Sequence, residues 1–170
     1  MTTMKDGTLI LDESQIMRKI KRIAYEIYEN NYYEDEIVVA GIIGSGYALA
    51  QLLEKELNQI APFRTTLIKV TLNKEEPLKS AVTLDKDVKL AEGKCVIMID
   101  DVLNTGRTFL QSLKPFLDIK VKKIQTATLV NRSHKLFPVS ADYTGYELST
   151  TINERIKVSL ESGSAGVYLY

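Results

Sequence analysis

Apolar and polar positions along the chain alternate between two rhythms, one of about 3.6 residues and one of two or fewer. Residues 8–11 form a short apolar piece, followed by Asp12-Glu13-Ser14-Gln15, where Asp12 can cap a helix and Gln15 can reach back to it. Ile16, Ile20, Ile23, Ala24 and Ile27 then recur at helical spacing until Asn30-Asn31 ends the run. Residues 37–43 predict a buried strand that breaks into Gly44-Ser45-Gly46, ahead of a second helix whose Ala48, Leu49, Leu52, Leu53 and Leu57 share a face. Residues 65–72 predict another strand. A third, over 95–99, runs into Asp100-Asp101, and a helix through Leu110, Leu113 and Phe116 follows. Residues 123–130 alternate loosely into a fourth strand, and 143–170 hold shorter strand-like pieces. The polar stretch 73–93 is too long for an ordinary connection, which marks it as a mobile functional loop.

Strands written as nearly continuous apolar runs and separated by helices predict an α/β fold with a mainly parallel sheet covered on both faces. No repeat, low-complexity tract or linker divides the chain, so residues 1–170 are expected to form one domain. Ligands of such sheets bind beyond the carboxyl ends of the strands, where both glycine-bearing turns, 41–46 and 104–108, fall.

Composition removes whole classes of function. With one Cys and one His among 170 residues, the chain can form neither an internal disulfide nor a structural zinc site. No run approaches the roughly 20 apolar residues of a membrane span, and residues 1–12 carry charge where a signal peptide needs an apolar core, so a cytoplasmic protein is expected. Twenty-two basic side chains balance 22 acidic ones, which argues against a purely electrostatic binder of nucleic acid.

The chemistry concentrates in Asp100-Asp101-Val102-Leu103-Asn104-Thr105-Gly106-Arg107-Thr108. Backbone N–H groups and two hydroxyls converging beside a strand end suit a phosphate dianion. The two carboxylates cannot partner that phosphate. They can accept hydrogen bonds from hydroxyls, hold a metal through water, or stabilise positive charge on a neighbouring carbon. Phosphate beside a pair of hydroxyl acceptors describes a phosphorylated sugar. A plainer alternative has the pair merely ending a strand and capping a helix. A Walker-B role would call for Gly-x-x-x-x-Gly-Lys-Ser/Thr, and the sequence has no such run.

The run from Val96 to Thr108 resembles the phosphoribosyl-pyrophosphate (PRPP) signature of the type I phosphoribosyltransferases. Its flanks are similar to the PyrR family of pyrimidine-operon regulators and uracil phosphoribosyltransferases: Ile10 to Glu13, Arg22 to Ile27, the Gly41 loop with Leu49-Ala50, and Leu129 to His134 through Pro138, Ala141 to Tyr143 and Gly145. The resemblance implies a single phosphoribosyltransferase domain with a small hood and a flexible loop. It implies that Asp100 and Asp101 bind the ribose hydroxyls of PRPP and are catalytic. It further implies that Val102, Leu103, Asn104, Thr105, Gly106, Arg107 and Thr108 form the PRPP loop, with Mg2+ bound together with PRPP and no direct protein cage. The nucleobase is expected near Arg132, His134, Tyr143 and Thr144, with Tyr143 stacking on it; read without the family, Tyr143 is a core residue and His134 a surface or hydrogen-bonding one.

Two departures from the family pattern stand out. Ile43, Gly44, Ser45 and Gly46 occupy the loop that contacts pyrophosphate, where PyrR-like enzymes carry Lys-Thr-Arg, so two positive charges are lost. Each charge-assisted bond is worth roughly 1.5–3 kcal/mol. Lys74 stands where the family has Arg, keeping the charge without the planar fork, while Lys79 and Lys86 read as solvated loop surface. Three functions are compatible with these residues: transfer from PRPP to uracil, a nucleotide-sensing regulator binding an mRNA leader through Arg18, Lys19, Lys21 and Arg22, or transfer to hypoxanthine or guanine. A homodimer or higher homo-oligomer is the family's tendency.

Overall fold

The computed structural model describes residues 7–170. The first six residues of the charged opening stretch lie outside the described residues. Strand β1 (Thr8–Asp12) leads directly into helix α1 (Glu13–Asn31), and Asp12 closes the capping box expected of it. Its carboxylate accepts from the Gln15 N–H at 2.8 Å while the Gln15 side chain accepts from the Asp12 N–H at 2.9 Å. The helix buries Ile16, Ile20, Ile23, Ala24 and Ile27, the stripe read from the sequence.

Six strands form the central sheet: β2 (Glu36–Ile42), β3 (Arg64–Thr71), β4 (Thr83–Leu84), β5 (Cys95–Leu103), β6 (Lys123–Asn131) and β7 (Tyr143–Glu147). Their spatial order is β4-β3-β2-β5-β6-β7, parallel except for β4. Because the sheet is covered on both sides, its strands send side chains into two cores. Ile37 and Val39 face one with α1 and α2 (Ser45–Ile60), whereas Val38, Ala40 and Ile42 face the other with α3 (Arg107–Ser112) and α4 (Lys114–Leu117). Apolar at every position over 37–42 and 95–99, β2 and β5 belong to such an interior.

Strands β8 (Ile156–Ser159) and β9 (Gly166–Leu169) pair with β1 in a separate antiparallel sheet of order β1-β9-β8. This small sheet joins the two ends of the described chain and is the hood.

The structure corrects three expectations. Strand β5 does not stop at Ile99 but carries Asp100 and Asp101 within it, because their backbones continue the ladder with β6 through Asp100↔Thr128 and Leu103↔Asn131. The helix after it is two short pieces, since Pro115 near the start of α4 lacks the N–H that a continuous helix needs. The stretch 73–93 is not all loop. Thr83 pairs with Thr71, Asp85 exchanges hydrogen bonds with the Lys69 backbone, and a 3-10 turn at Val88–Ala91 buries Ala91. Only its first part, residues 73–82, is an irregular excursion.

Candidate active site

The carboxyl ends of β2 and β5 bring the two glycine-bearing turns side by side. Asp100 is the buried member of the acidic pair, 3% exposed, while Asp101 is half-buried. Asp100 Oδ1 accepts from Lys74 Nζ at 3.1 Å and from the Asp101 N–H at 3.0 Å. Burial, reinforced by the charge of Asp101, pushes the Asp100 carboxyl well above its ordinary pKa; the Lys74 ammonium works against that shift. Lys74 thus reaches from the 73–82 excursion into the site.

Gly46 presses against this carboxylate from the first turn of α2. A Cβ there would lie 2.5 Å from Asp100 Oδ1. Gly44, just before that helix, sits at φ +90°, and Ser45 Oγ donates to the Val158 carbonyl of the hood at 3.3 Å. The turn is therefore fixed from three sides: Ile43 N–H to Val70 O at 2.8 Å, Gly46 to Asp100, and Ser45 to β8.

Beyond β5, Asn104 and Thr105 make the turn, and Gly106 at φ +90° opens α3. Thr105 Oγ1 accepts from the Arg107 N–H at 3.3 Å. The Thr105 carbonyl accepts the N–H groups of both Leu136 and Phe137, so the loop after β6 clamps this turn from above. Arg107 lies 5.3 Å from the centroid of the Phe137 ring. Lys74, all of residues 102–109 and Leu136 line one cavity of about 360 Å3. The pattern of the sequence located the turn but missed Leu136 and Phe137, which no rhythm or motif singled out.

The residues expected around the nucleobase are occupied elsewhere. Tyr143 is buried in the core, and its hydroxyl donates to Gln125 Oε1 at 2.9 Å, so its ring cannot stack on a ligand; burial raises its pKa. Arg132 is buried and donates to Thr150 Oγ1 and to the carbonyls of Thr151 and Glu154, fixing the segment that enters the hood. His134 Nε2 lies 2.9 Å from the Thr150 carbonyl and serves the same segment. The Thr144 carbonyl accepts from the Arg22 guanidinium at 2.7 Å, and the Gly145 carbonyl does so at 2.9 Å.

That last contact also ties the basic face of α1 to β7. Arg22 is committed to β7 and to Glu26, with which it pairs at 3.3 Å. Lys19 lies 5.5 Å from the Tyr146 ring centroid and, with Arg18 and Arg22, lines a surface cavity of about 380 Å3; Lys21 is exposed.

Comparison with known proteins gives this geometry its class. The phosphoribosyl transferase domain family matches residues 7–162. The chain belongs to that family and is a type I phosphoribosyltransferase, an enzyme of the pentosyl-transfer class. Within it, the resemblance runs to proteins named PyrR. The "Bifunctional protein PyrR" of Clostridioides difficile is 37% identical over 167 residues, spanning 92% of this chain and 93% of that protein. Its namesake from Haemophilus ducreyi is 34% identical over 163 residues, spanning 90% and 89%. The hypoxanthine phosphoribosyltransferase of Trypanosoma cruzi has the same fold at a TM-score of 0.78 and 15% identity, covering 95% of both chains. A hypoxanthine-guanine phosphoribosyltransferase from Bacillus anthracis superposes at 0.70 with 22% identity, over 86% of this chain and 85% of that one. The family implies PRPP and a nucleobase as substrates. Among the described residues no helix is long and apolar enough to cross a membrane.

Proposed function

We propose that this enzyme transfers the ribose 5-phosphate of PRPP to uracil, releasing pyrophosphate and forming uridine 5′-monophosphate. The observation that carries the reading is that Asp100 and Asp101 run without a break into residues 102–108, which line one cavity together with Lys74, the residue ion-paired to the buried acid. In the reaction the bond from C1′ to pyrophosphate oxygen breaks, a bond from C1′ to a ring nitrogen forms, and the base gives up that nitrogen's proton. Asp100 and Asp101 accept hydrogen bonds from the ribose hydroxyls, and their negative charge stabilises the cationic character that develops at C1′. The backbone N–H groups of the 104–108 turn, with Thr105 and Thr108, hold the 5′-phosphate. The Gly44 loop takes the pyrophosphate. Positioning and charge account for such a transfer without a covalent intermediate on the protein.

The residues present fit magnesium carried in on the substrate. Asp101 offers one half-buried carboxylate, and among the described residues no group of three His, Cys, Asp or Glu could cage a metal. Magnesium commonly keeps its waters and takes one or two carboxylates plus substrate oxygens, where it neutralises phosphate charge. Uracil is favoured by the likeness of the flanking sequence to PyrR proteins. An assay with labelled uracil, PRPP and magnesium should yield uridine monophosphate faster than hypoxanthine or guanine yields its nucleotide. A preference for a purine would reverse the assignment of the base, and binding of PRPP without any transfer would sink the enzyme reading.

A second reading is favoured by Arg18, Lys19 and Tyr146 around one surface cavity: a cationic and aromatic face suited to an mRNA leader. Pyrimidine-leader RNA should then bind more tightly than scrambled RNA, with the difference depending on uridine nucleotide. Equal binding of both removes the regulator. A cytoplasmic homodimer or larger homo-oligomer belongs to the same reading, and sedimentation of the purified chain tests the assembly.

A further inference from the structure

The loop assigned above to pyrophosphate brings no cation of its own, because Ile43, Gly44, Ser45 and Gly46 are all uncharged. The hood lies directly against that loop through the Ser45 to Val158 hydrogen bond. Between them opens a second cavity of about 610 Å3, with Gly44, Ser45 and Ala48 on one wall and Lys157, Ser159 and Glu161 among the residues of the other. Alternation along β8 decides which side chains face it. Val158 is buried in the core, which leaves Lys157 and Ser159 on the opposite face, and Lys157 is exposed. Among the described residues no carboxylate lies within ion-pair distance of Lys157. Glu161, exposed in the turn after β8, is the acidic residue of the wall.

We propose that Lys157 supplies, from the hood, the positive charge that binds pyrophosphate at the Gly44 loop. The inference rests on the phosphoribosyl-transfer reading of that loop and names a residue outside its signature. A cation on the hood differs from one on the loop in a consequential way: it engages pyrophosphate only while the hood is seated, and the Ser45 to Val158 bond holds it there.

Calorimetric titration of the full chain with inorganic pyrophosphate and magnesium, followed by PRPP kinetics, tests it. Lys157→Gln should weaken pyrophosphate binding about tenfold and raise KM for PRPP by a similar factor. Lys157→Arg should keep most of both, and Glu161→Gln should strengthen pyrophosphate binding by removing a like charge. Lys55→Gln, an exposed lysine on α2 away from the cavity, is the control for general charge. If Lys157→Gln binds pyrophosphate as the wild type does, or Lys55→Gln weakens it equally, the inference falls while the function stands. If the wild type binds neither PRPP nor pyrophosphate, the reading of the site falls and takes the inference with it.

Discussion

Gly46 and Asp100 touch so closely that one hydrogen atom decides the site. A methyl on Gly46 would sit 2.5 Å from Asp100 Oδ1 and 3.0 Å from its Cα, and neither the strand nor the helix turn can yield easily. Misplacing a reacting group by about 1 Å costs on the order of 100-fold. Gly46→Ala should therefore lose about that factor in kcat/KM for PRPP while circular dichroism shows the fold intact; activity within a few-fold of wild type would show that the carboxylate's position is not critical. Gly44 offers the contrast. A Cβ there meets open space, but its φ of +90° strains any other residue, so the penalty belongs to stability. Tyr143 is a residue to which the family resemblance gives one role, while its burial gives it the core position that its type alone suggests. Nothing in the local sequence shows that Gln125, 18 residues away, accepts its hydroxyl. Tyr143→Phe should cost about 1 kcal/mol of stability in urea unfolding and leave KM for the nucleobase unchanged; a raised KM would return the tyrosine to the site.

At the scale of elements, what was legible depended on length and period. Helix α1 shows both a five-residue apolar stripe and a capping box, strands β2 and β5 carry apolar runs long enough to declare themselves, and β6 alternates loosely. The two-residue β4 has no period to read, and its pairing with β3 depends on Asp85 meeting the Lys69 backbone, a contact across 16 residues. The hood is expected from the family resemblance alone, since its β1 and β9 lie at opposite ends of the described chain and no local pattern joins them. Asp12 stands at the joint between these regions, ending β1 opposite Gly166 and capping α1 with its side chain. Asp12→Ala removes the cap and should lower stability by about 1 kcal/mol, read as a shift in the urea midpoint without change in slope. A changed slope would mean that the hood strand unpairs as well.

Over the whole molecule, the zero net charge conceals how cations are distributed. Lys74 is spent on Asp100, Arg22 on the carbonyls of β7, and Arg132 on the segment that rises into the hood. The signature from Asp100 to Thr108 was readable because its residues are consecutive, whereas the Arg22 to Thr144 contact joins positions 122 apart and could not be. Arg132 shows what such long-range ties do. Its guanidinium is the donor to Thr150 Oγ1 and to the carbonyls of Thr151 and Glu154, and Glu154 lies two residues before β8 begins. Arg132→Met keeps the length of the side chain but withdraws those donors, leaving part-buried acceptors without a partner at about 1–3 kcal/mol apiece where water cannot reach them. The loss should not spread evenly. Strands β2, β5 and β6 do not depend on the 150–154 segment, so their amide exchange should stay slow, while exchange across 148–160 should accelerate. Because β8 carries Lys157 and meets the pyrophosphate loop through the Ser45 to Val158 bond, PRPP should then stabilise the variant less than the wild type in a thermal shift measured at equal PRPP and magnesium. Uniformly faster exchange over both sheets would instead make Arg132 part of a single cooperative core, and the hood would not be a unit that the enzyme can move independently.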